Sequence, residues 1–417
     1  MKVVHVTNYF RDIHRHVGGA EQASFRTALL ARNHGHSILV VTTRPDGDGR
    51  SEFETRSIPI VEDYLPVSLK KYAEASKWYS VQYDPLARKA FGSILSDAKA
   101  DVVHFHNFQF MTLSLLAVAR RHRLRTILSI YDYWLFCPTV MLVDPQQGFC
   151  RQGHGPWCVD CLPPMFRLFQ KLLLSMRRRV IDHYLDMVGS FHVLSEHSRS
   201  VLEGYGIDRG RIRVIPLTLP IEFKTLESSD QTFDGHSILF AGWLNERKGL
   251  HLLLQAMPKV LSEYPQARLT AIGGKVKFGD TYEKRLHEIV EAEGLGDKVQ
   301  FTGHLPPAEI KTHIQRSSVV VIPEQYENMS PLLMIEAMAM GKPVVISRAG
   351  GIPEFVQDGA TGWLADPLNP DDFAQKIINV FSDSDGARRM GTAARQLILT
   401  KLDSEIIWEK TRAMYEA

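Results

Sequence analysis

The length, composition and charge of the chain exclude several classes of protein. With 417 residues it is too long for a single hydrophobic core, and two domains of ordinary size fit. An apolar content of 44% and a charged content of 23% are those of a soluble globular protein. A net charge of +2 provides no global attraction to nucleic acid, so we expect no nucleic-acid partner.

Signals for export or membrane insertion are weak. The N-terminus, MKVVHVTNYF, makes a poor signal peptide because polar residues interrupt its short apolar run. No run of 18 apolar residues occurs, so we predict no membrane-spanning helix. Four cysteines in this length do not suggest a secreted disulfide scaffold, and we expect a cytoplasmic protein.

The first half of the chain alternates apolar strands with helices. A helix is predicted over 20–34 and ends near Gly35. Strands are predicted over 3–10, 37–43, 101–106, 126–130, 191–194 and 213–216.

A polar linker over 215–235 precedes a second alternation of the same kind. Helices are predicted over 249–261 and 282–293, with strands over 237–241, 267–272, 299–302, 317–323 and 343–347. Such alternation implies parallel sheets built from right-handed βαβ units, and ligands would bind at the carboxyl ends of the strands, in a cleft between the domains. We predict an α/β protein with Rossmann-like domains over 1–220 and 221–395, and a helix over 396–417 that crosses back to the first.

The segment ENMSPLLMIEAMAMGKPVV, residues 327–345, predicts a helix over 331–340. Ser330 suits the N-cap, Pro331 the first helical position, and Gly341 the end. The free N–H groups of the helix start suit a phosphate. Glu336 projects from this apolar helix, where it could bind the diol of a ribose or serve as a structural carboxylate; the pattern alone leaves both open.

Two further loops at strand ends have the composition of anion sites. In AGWLNERKGLHLLLQA, residues 241–256, Arg247 and Lys248 suit a diphosphate, although a solvated charge pair with Glu246 fits as well. In HVGGAEQ, residues 16–22, Gly18 and Gly19 would let a ligand approach the backbone at a helix start. The full G-x-G-x-x-G spacing is absent, which argues against a nicotinamide-dependent dehydrogenase.

Taken together, these motifs resemble those of the retaining glycosyltransferases of family 4, which have the two-domain GT-B architecture. The resemblance covers nearly the whole chain and is strongest in the second half. It rests on the GGAE loop, Gly242 followed by Lys248-Gly249, the glutamate-rich start of the 331–340 helix, GKPVV, Gly350-Gly351-Ile352-Pro353-Glu354, and Asp358-Gly359 to Gly362.

The resemblance implies two Rossmann-like domains facing across a cleft, with a nucleotide-diphosphate sugar, of UDP or GDP, held mainly by the second domain. Glu336 would bind the ribose and Lys248 the diphosphate. Further donor contacts would come from Gly18, Gly19, Gly242, Asn328, Ser330, Pro331 and Leu332.

The implied reaction is transfer with retention at the anomeric carbon, to a glycan, lipid-linked or small-molecule acceptor bound by the first domain, as in polysaccharide biosynthesis. Stabilisation of the leaving diphosphate would supply most of the catalysis. A catalytically weak nucleotide-sugar-binding protein of the same fold is the alternative.

The chain departs from the family pattern at the first glutamate. The family places seven residues between its two glutamates, whereas Glu327 and Glu336 have eight between them, so counting back from Glu336 puts Asn328 in that position. We favour Glu327 slightly as the sugar contact.

Two other departures concern the catalytic centre. Trp243 follows Gly242 where relatives often have arginine, so Arg247 is the candidate for the second cation. Tyr131 stands where many relatives have histidine, directly before Asp132, and His104 or His106 could substitute, unless these are core histidines. The catalytic candidates are Glu327, Lys248, Arg247, Asp132 and His106.

All four cysteines fall in one insertion, 137–161: Cys137, Cys150, Cys158 and Cys161, the last two as C-x-x-C. In a cytosolic protein this clustering favours a closed structural zinc site, in which His154 could replace one thiolate. An iron–sulfur cluster or free thiols stay open. We expect no catalytic metal, since the Asp-x-Asp matches at 46–48 and 383–385 fall in turns.

Residues 165–187, MFRLFQKLLLSMRRRVIDHYLDM, predict an amphipathic helix with both apolar and basic residues. It could lie on an anionic bilayer, at the inner face of the membrane, which would suit a lipid-linked acceptor. Packing on the first domain is the alternative and follows from ordinary helix patterning.

Overall fold

The computed structural model describes residues 1–15, 17–47, 49–66, 68–69, 83–108, 111–144, 148–162, 166–224, 235–274 and 280–417. The chain divides into two compact units. The first comprises Met1–Thr218 and Ser404–Ala417, and the second comprises Leu219–Asp403. His16, Asp48, Met165 and most of the predicted linker, 225–234, lie outside the described residues.

The first unit contains a seven-stranded parallel sheet in the order β3-β2-β1-β4-β5-β6-β7. Its strands are β1 Lys2–Val6, β2 Ser37–Thr42, β3 Glu54–Ser57, β4 Val102–Phe105, β5 Arg125–Ser129, β6 Ser190–Val193 and β7 Ile212–Val214. The helices described between them are α1 Gly19–Asn33, α2 Pro85–Ala98, α3 Ser114–Arg121, α4 Arg167–Leu185 and α5 Glu196–Gly204. Short 3₁₀ turns cover Val61–Tyr64, Pro156–Cys161 and Arg209–Arg211.

The second unit contains a six-stranded parallel sheet in the order β10-β9-β8-β11-β12-β13. Its strands are β8 Ser237–Ala241, β9 Arg268–Ile272, β10 Val299–Gly303, β11 Val319–Ile322, β12 Val344–Ser347 and β13 Trp363–Ala365. Its helices are α6 Ile221–Lys224, α7 Leu250–Glu263, α8 Asp280–Ala292, α9 Pro307–Arg316, α10 Leu332–Ala339, α11 Pro370–Ser382 and α12 Ser384–Lys401. Glu246–Lys248 and Ile352–Glu354 form 3₁₀ turns.

Both sheets have a point where the strand order reverses. In the first sheet β1 lies between β2 and β4, and in the second β8 lies between β9 and β11. The central strands β4 and β11 are buried along their whole length, as expected for parallel strands covered by helices on both faces. Within the first sheet the loops after β1 and β4, and within the second sheet the loops after β8 and β11, lie where doubly wound sheets bind ligands.

The predicted elements differ from the structure at several points. The first strand, predicted to reach residue 10, ends at Val6, because the Thr7 hydroxyl donates to the Tyr9 carbonyl at 3.0 Å and starts a loop. Strands β3 and β13 were not predicted, since Glu54–Ser57 is exposed and polar and Trp363–Ala365 has only three residues. The predicted 331–340 helix begins one residue later, with Pro331 rather than Ser330 as its N-cap.

The C-terminal segment contains two helices where one crossing helix was predicted over 396–417. Helix α12 belongs to the second unit, where Ala394 and Ile398 join its core. The last helix, α13 Ser404–Glu416, belongs to the first unit and buries Trp408 and Tyr415 there. No helix in the described part of the chain is both long enough and apolar enough to span a membrane.

Candidate functional site

The loop after β8 is held against the end of β11 by a glycine. The Asn245 side chain accepts a hydrogen bond from the Lys248 N–H at 3.2 Å and closes the Glu246–Lys248 turn. Gly249 follows with φ +71°, and a Cβ atom there would overlap the carbonyl oxygen of Pro323. Only glycine fits both the backbone angle and the space at this position. The close approach of Gly249 to Pro323 places the preceding Lys248 beside the residues that follow β11.

Lys248 is the centre of a polar cluster at this point of the sheet. Its Nζ donates to the Glu324 carboxylate and lies 3.3 Å from the Tyr326 hydroxyl. Burial alone would lower the pKa of Lys248, but Glu324 and Tyr326 together raise it to about 12. The amine is therefore a fixed cation at neutral pH.

Asn328 completes this cluster. Its Nδ2 donates to the Tyr326 hydroxyl at 2.8 Å and to Glu324 Oε2 at 2.5 Å, and its Oδ1 accepts from the Ser330 N–H at 3.0 Å. We call Lys248, Glu324, Tyr326 and Asn328 the lysine cluster. The Arg247 guanidinium lies 5.5 Å from the centre of the Tyr326 ring, within cation–π range, so a second cation borders the cluster.

Glu327 is more deeply buried than its neighbour Asn328. Its side chain is buried, with only 1% of the residue exposed. The loop after β12 covers this segment: Gly350 has φ +56°, where a Cβ would overlap the Asn328 carbonyl, and Gly351 N–H donates to that carbonyl at 2.8 Å. The half-buried Asn328 is a member of the lysine cluster, whereas Glu327, which the sequence slightly favoured as the sugar contact, is buried.

Helix α10 begins directly after the lysine cluster. Pro331 caps it without a side-chain hydrogen bond, and the buried Ser330 hydroxyl has no hydrogen-bond partner among the described residues. Glu336 is half-buried on a helix whose other face is core. Gly341, with φ +70°, ends the helix as predicted.

In the first unit, Gly18 and Gly19 form the start of α1. The Gly18 N–H donates to Glu21 Oε2 at 2.8 Å, which satisfies one free donor of the helix. A Cβ at Gly19 would meet nothing within 4 Å, so the space beside this helix start is open.

The predicted catalytic residue His106 lies in the interior of the first unit. Its Nε2 is 2.7 Å from His5 Nδ1, and its Nδ1 is 3.0 Å from the Tyr131 hydroxyl. His104 packs against both histidine rings. The three histidines bring one ligand nitrogen each within 4.8 Å of one another.

Burial lowers the pKa of each histidine in this interior. The value falls to about 3 for His5 and to about 4 for His192, while that of His106 lies well below 6.5. His106 is therefore a neutral core histidine, the alternative that the sequence left open. Asp132 is half-buried, and its Oδ1 accepts the Trp134 N–H at 3.1 Å.

The four cysteines have free thiols, of which Cys137 and Cys158 are buried. Burial raises the pKa of Cys158 to about 11, and the charges of the other three thiols act in the same direction.

Glu324 and Tyr326 were not predicted from the sequence as members of the site. Both follow β11 directly, as Lys248 follows β8, and these strands are parallel neighbours. Since the carboxyl ends of such strands meet at one sheet edge, polar residues at those ends could have indicated the cluster.

Comparison with known proteins agrees with this architecture. Residues 17–223 match the family model described as Glycosyltransferase Family 4, and residues 226–397 match Glycosyl transferases group 1. The D-inositol 3-phosphate glycosyltransferase of Corynebacterium urealyticum is 32% identical over 301 residues, covering 68% of this chain and 70% of that protein. Spore coat protein SA of Bacillus subtilis is 32% identical over 43% of this chain, and the match spans only 48% of that relative.

Solved structures share the fold at low identity. Anabaena HepE in complex with UDP superposes with a TM-score of 0.74 at 18% identity, over 99% of each chain. Sucrose-phosphate synthase from Thermosynechococcus elongatus gives a TM-score of 0.72 at 19% identity, over 100% of this chain and 98% of that one. The two Rossmann-like units are those of the GT-B glycosyltransferases. The chain belongs to glycosyltransferase family 4, in its group 1 branch, which confirms the resemblance found in the sequence and the predicted fold class.

Proposed function

We propose that this protein transfers a sugar from a UDP- or GDP-sugar to an acceptor, with retention of the anomeric configuration. The observation that carries the proposal is the lysine cluster, a fixed cation with amide and phenol groups at the strand-order reversal of the second sheet. The presence of UDP, and of UDP with glucose, in HepE structures of the same fold supports a nucleotide-sugar donor.

In this proposal the diphosphate binds Lys248 and Arg247. Without donor, the Lys248 amine is neutralised by Glu324. A diphosphate would add negative charge beside it, and the lysine would stabilise the charge that develops on the leaving group. The Ser330 hydroxyl and the N–H groups at the start of α10 would bind a phosphate or sugar oxygen.

The remaining proposed contacts with the donor are side chains that are accessible to a ligand. Glu336 is half-buried and could accept two hydrogen bonds from the ribose diol. Asn328, which shares its contacts with the lysine cluster, is the proposed sugar contact in place of the buried Glu327. In the first unit, the open space at Gly19 and the half-buried Asp132 are the proposed contacts of the reacting sugars.

We further propose that the acceptor is lipid-linked and that the protein works at the inner face of a membrane. Helix α4 and the residue before it expose five apolar side chains, two of them by 86%: Phe166, Leu168, Phe169, Leu172 and Met176. Arg167, Lys171, Arg178 and Arg179 are exposed on the same helix. This combination of apolar and basic side chains suits an anionic bilayer surface.

The activity is tested by incubating the protein with radiolabelled UDP- and GDP-sugars and lipid extracts as acceptors. We expect transfer from one donor, with the anomeric configuration of the donor preserved in the product by NMR. Lys248→Ala should weaken nucleotide-diphosphate binding at least tenfold, since a charge-assisted contact is lost. The matched control is Lys259→Ala, which replaces an exposed lysine on the neighbouring helix α7 and should leave nucleotide-diphosphate binding unchanged.

Two outcomes would contradict the proposal. If UDP or GDP raises the melting temperature but no donor is ever transferred or hydrolysed, the protein is a nucleotide-sugar-binding relative without transferase activity. If neither nucleotide binds, the role of the lysine cluster is wrong.

The sugar contact is tested by comparing Asn328→Ala with Glu327→Ala. We expect the first to lose turnover, and the second to lower the melting temperature because a buried side chain is removed. Normal turnover of Asn328→Ala, with inactive but stable Glu327→Ala, would assign the contact to Glu327 instead.

A further inference from the structure

The cysteine insertion is folded by short-range backbone contacts that turn the chain back on itself. The Cys137 N–H donates to the Tyr133 carbonyl at 2.7 Å. An antiparallel bridge pairs Val143 with Phe149, and the Cys150 N–H donates to the Leu142 carbonyl at 2.7 Å. The chain therefore returns from Cys150 to the start of the insertion.

The other two cysteines share a single turn of 3₁₀ helix, Pro156–Cys161, which packs on helix α4. Cys158 and Cys161 are the C-x-x-C pair within that turn. The Arg177 side chain of α4 donates both to the Trp134 carbonyl, just before Cys137, and to His154, just before the C-x-x-C pair, so one helix holds both Cys-bearing segments.

Hydrophobic burial alone is a weak explanation for the order of this insertion. The apolar cluster at the 3₁₀ turn consists of Cys158, Val159 and Leu174, with Leu162 packed against it. A cluster of this size contributes little stability, and small segments of this kind are commonly held by a disulfide or a metal. No disulfide joins the four thiols.

A buried arginine beside the thiols provides a second, independent observation. Arg177 of helix α4 is only 3% exposed. It donates to the Trp134 carbonyl and to His154 Nδ1, the latter at 2.8 Å, and its Nε has no hydrogen-bond partner among the residues that the structure describes. No carboxylate lies within 4.0 Å of Arg177 in the part of the chain that the structure describes.

A buried cation without a counter-charge costs several kcal/mol. A zinc ion held by four thiolates has a net charge of −2 and would be the missing partner of Arg177. His154 accepts a hydrogen bond from Arg177 at Nδ1, and its Nε2 lies 3.7 Å from an Asp182 carboxylate oxygen. Because both ring nitrogens already have partners, we do not count His154 among the ligands.

We propose that Cys137, Cys150, Cys158 and Cys161 together bind one structural zinc ion, with Arg177 as its counter-charge. Zn–S bonds of about 2.3 Å place the sulfurs about 3.8 Å apart in a tetrahedron. Among the described residues, only His5, His104 and His106 bring three ligand atoms within 4.8 Å of one another. No three of the four sulfurs meet that limit, so the two Cys-bearing segments must draw together when the metal binds.

The first test is metal analysis of the full chain, purified without chelators or added metal. We expect about one zinc per chain, because structural sites of this type bind tightly. A mercurial reagent should release it as four thiols are titrated. Less than half an equivalent of zinc, stoichiometric iron with inorganic sulfide, or four freely reactive thiols in the native protein would each overturn the proposal.

Variants separate the ligands from their surroundings. Cys158→Ser should lose the zinc, whereas His154→Asn, the matched control in the same insertion, should retain it. Because Cys158→Ser can fail to fold, cobalt substitution of the wild-type protein gives a second readout, and we expect the visible spectrum of a tetrahedral thiolate site. An octahedral spectrum, or zinc loss in His154→Asn with zinc retained in Cys158→Ser, would refute the ligand set.

The counter-charge is tested by Arg177→Met, which keeps much of the side-chain volume. In competition with a chromophoric chelator, we expect the zinc to be bound at least tenfold more weakly, as is common when a supporting contact is removed. Unchanged affinity would show that Arg177 does not serve the metal. Neither result depends on glycosyl transfer, so failure here leaves the proposed activity untouched.

Discussion

The pairing of Lys248 with Glu324 should contribute measurably to the stability of the second unit. Burial lowers the pKa of Lys248, but pairing with Glu324 outweighs burial and raises the pKa from 10.5 to about 12. One pKa unit corresponds to 1.36 kcal/mol, so the shift is worth about 2 kcal/mol. Only 20% of the lysine side chain and 3% of the glutamate side chain are exposed, so solvent screens the pair weakly.

The sign of the pH dependence follows from the direction of the shift. Because the folded-state pKa is raised, the stabilisation is complete below about pH 10.5 and is lost as the pH rises through about 12. At pH 7.5 it is fully present. Glu324→Gln keeps the shape of the side chain but removes the charge, and should therefore cost about 2 kcal/mol.

The assay is a double-mutant cycle of Glu324→Gln and Lys248→Met, with urea unfolding at pH 7.5 followed by circular dichroism. We expect a coupling free energy of about 2 kcal/mol, since each single variant leaves one member of the pair unpaired. The two units can unfold separately, so the transition assigned to the second unit is the one compared. A coupling below about 0.5 kcal/mol, or a Glu324→Gln variant more stable than the wild type, would refute the reasoning.

Three further predictions concern other parts of the molecule. Gly249→Ala should destabilise the second unit by more than about 2 kcal/mol in urea unfolding, because it adds left-handed backbone strain to an overlap with Pro323. The control is Gly242→Ala, whose Cβ would meet its nearest atoms at 3.7 Å, and it should cost less than about 1 kcal/mol. The free energy of unfolding of the first unit should fall as the pH drops below 6.5, by about 2 kcal/mol at pH 5 for each of His5 and His192. The reason is that these histidines bind protons in the unfolded chain but stay neutral when they are buried in the folded unit. Equal stability at pH 7 and pH 5 would contradict this. Phe169→Glu should reduce cosedimentation with anionic lipid vesicles severalfold, and neutral vesicles, which we expect to bind little of either protein, are the control.

Much of the fold could be predicted because parallel strands leave a strong pattern. Strands such as Val102–Phe105 and Val319–Ile322 are buried on both faces, so they appear as continuous apolar runs. The edge strand Glu54–Ser57 has no such pattern, since its four residues are exposed. The boundary near residue 403 was also missed, because α12 and α13 are both amphipathic and differ only in the core that each one covers.

The candidate site was predicted less completely for a related reason. Gly249 and Gly341 could be recognised because turn and helix-end positions restrict the residue type locally. The contact of Lys248 with Glu324 joins residues 76 positions apart, and no local pattern records it.

The sequence by itself therefore determined the class of fold, the family and the segments at which ligands would bind, since strand periodicity, glycine turns and motif order are local properties of the chain. Only the tertiary structure decided which side chains those segments present. It buried Glu327 and His106, joined Asn328 to the lysine cluster, and bonded the buried Arg177 to His154 of the cysteine insertion. Burial and charge pairing depend on residues that are distant in the sequence, and the fold alone brings them together.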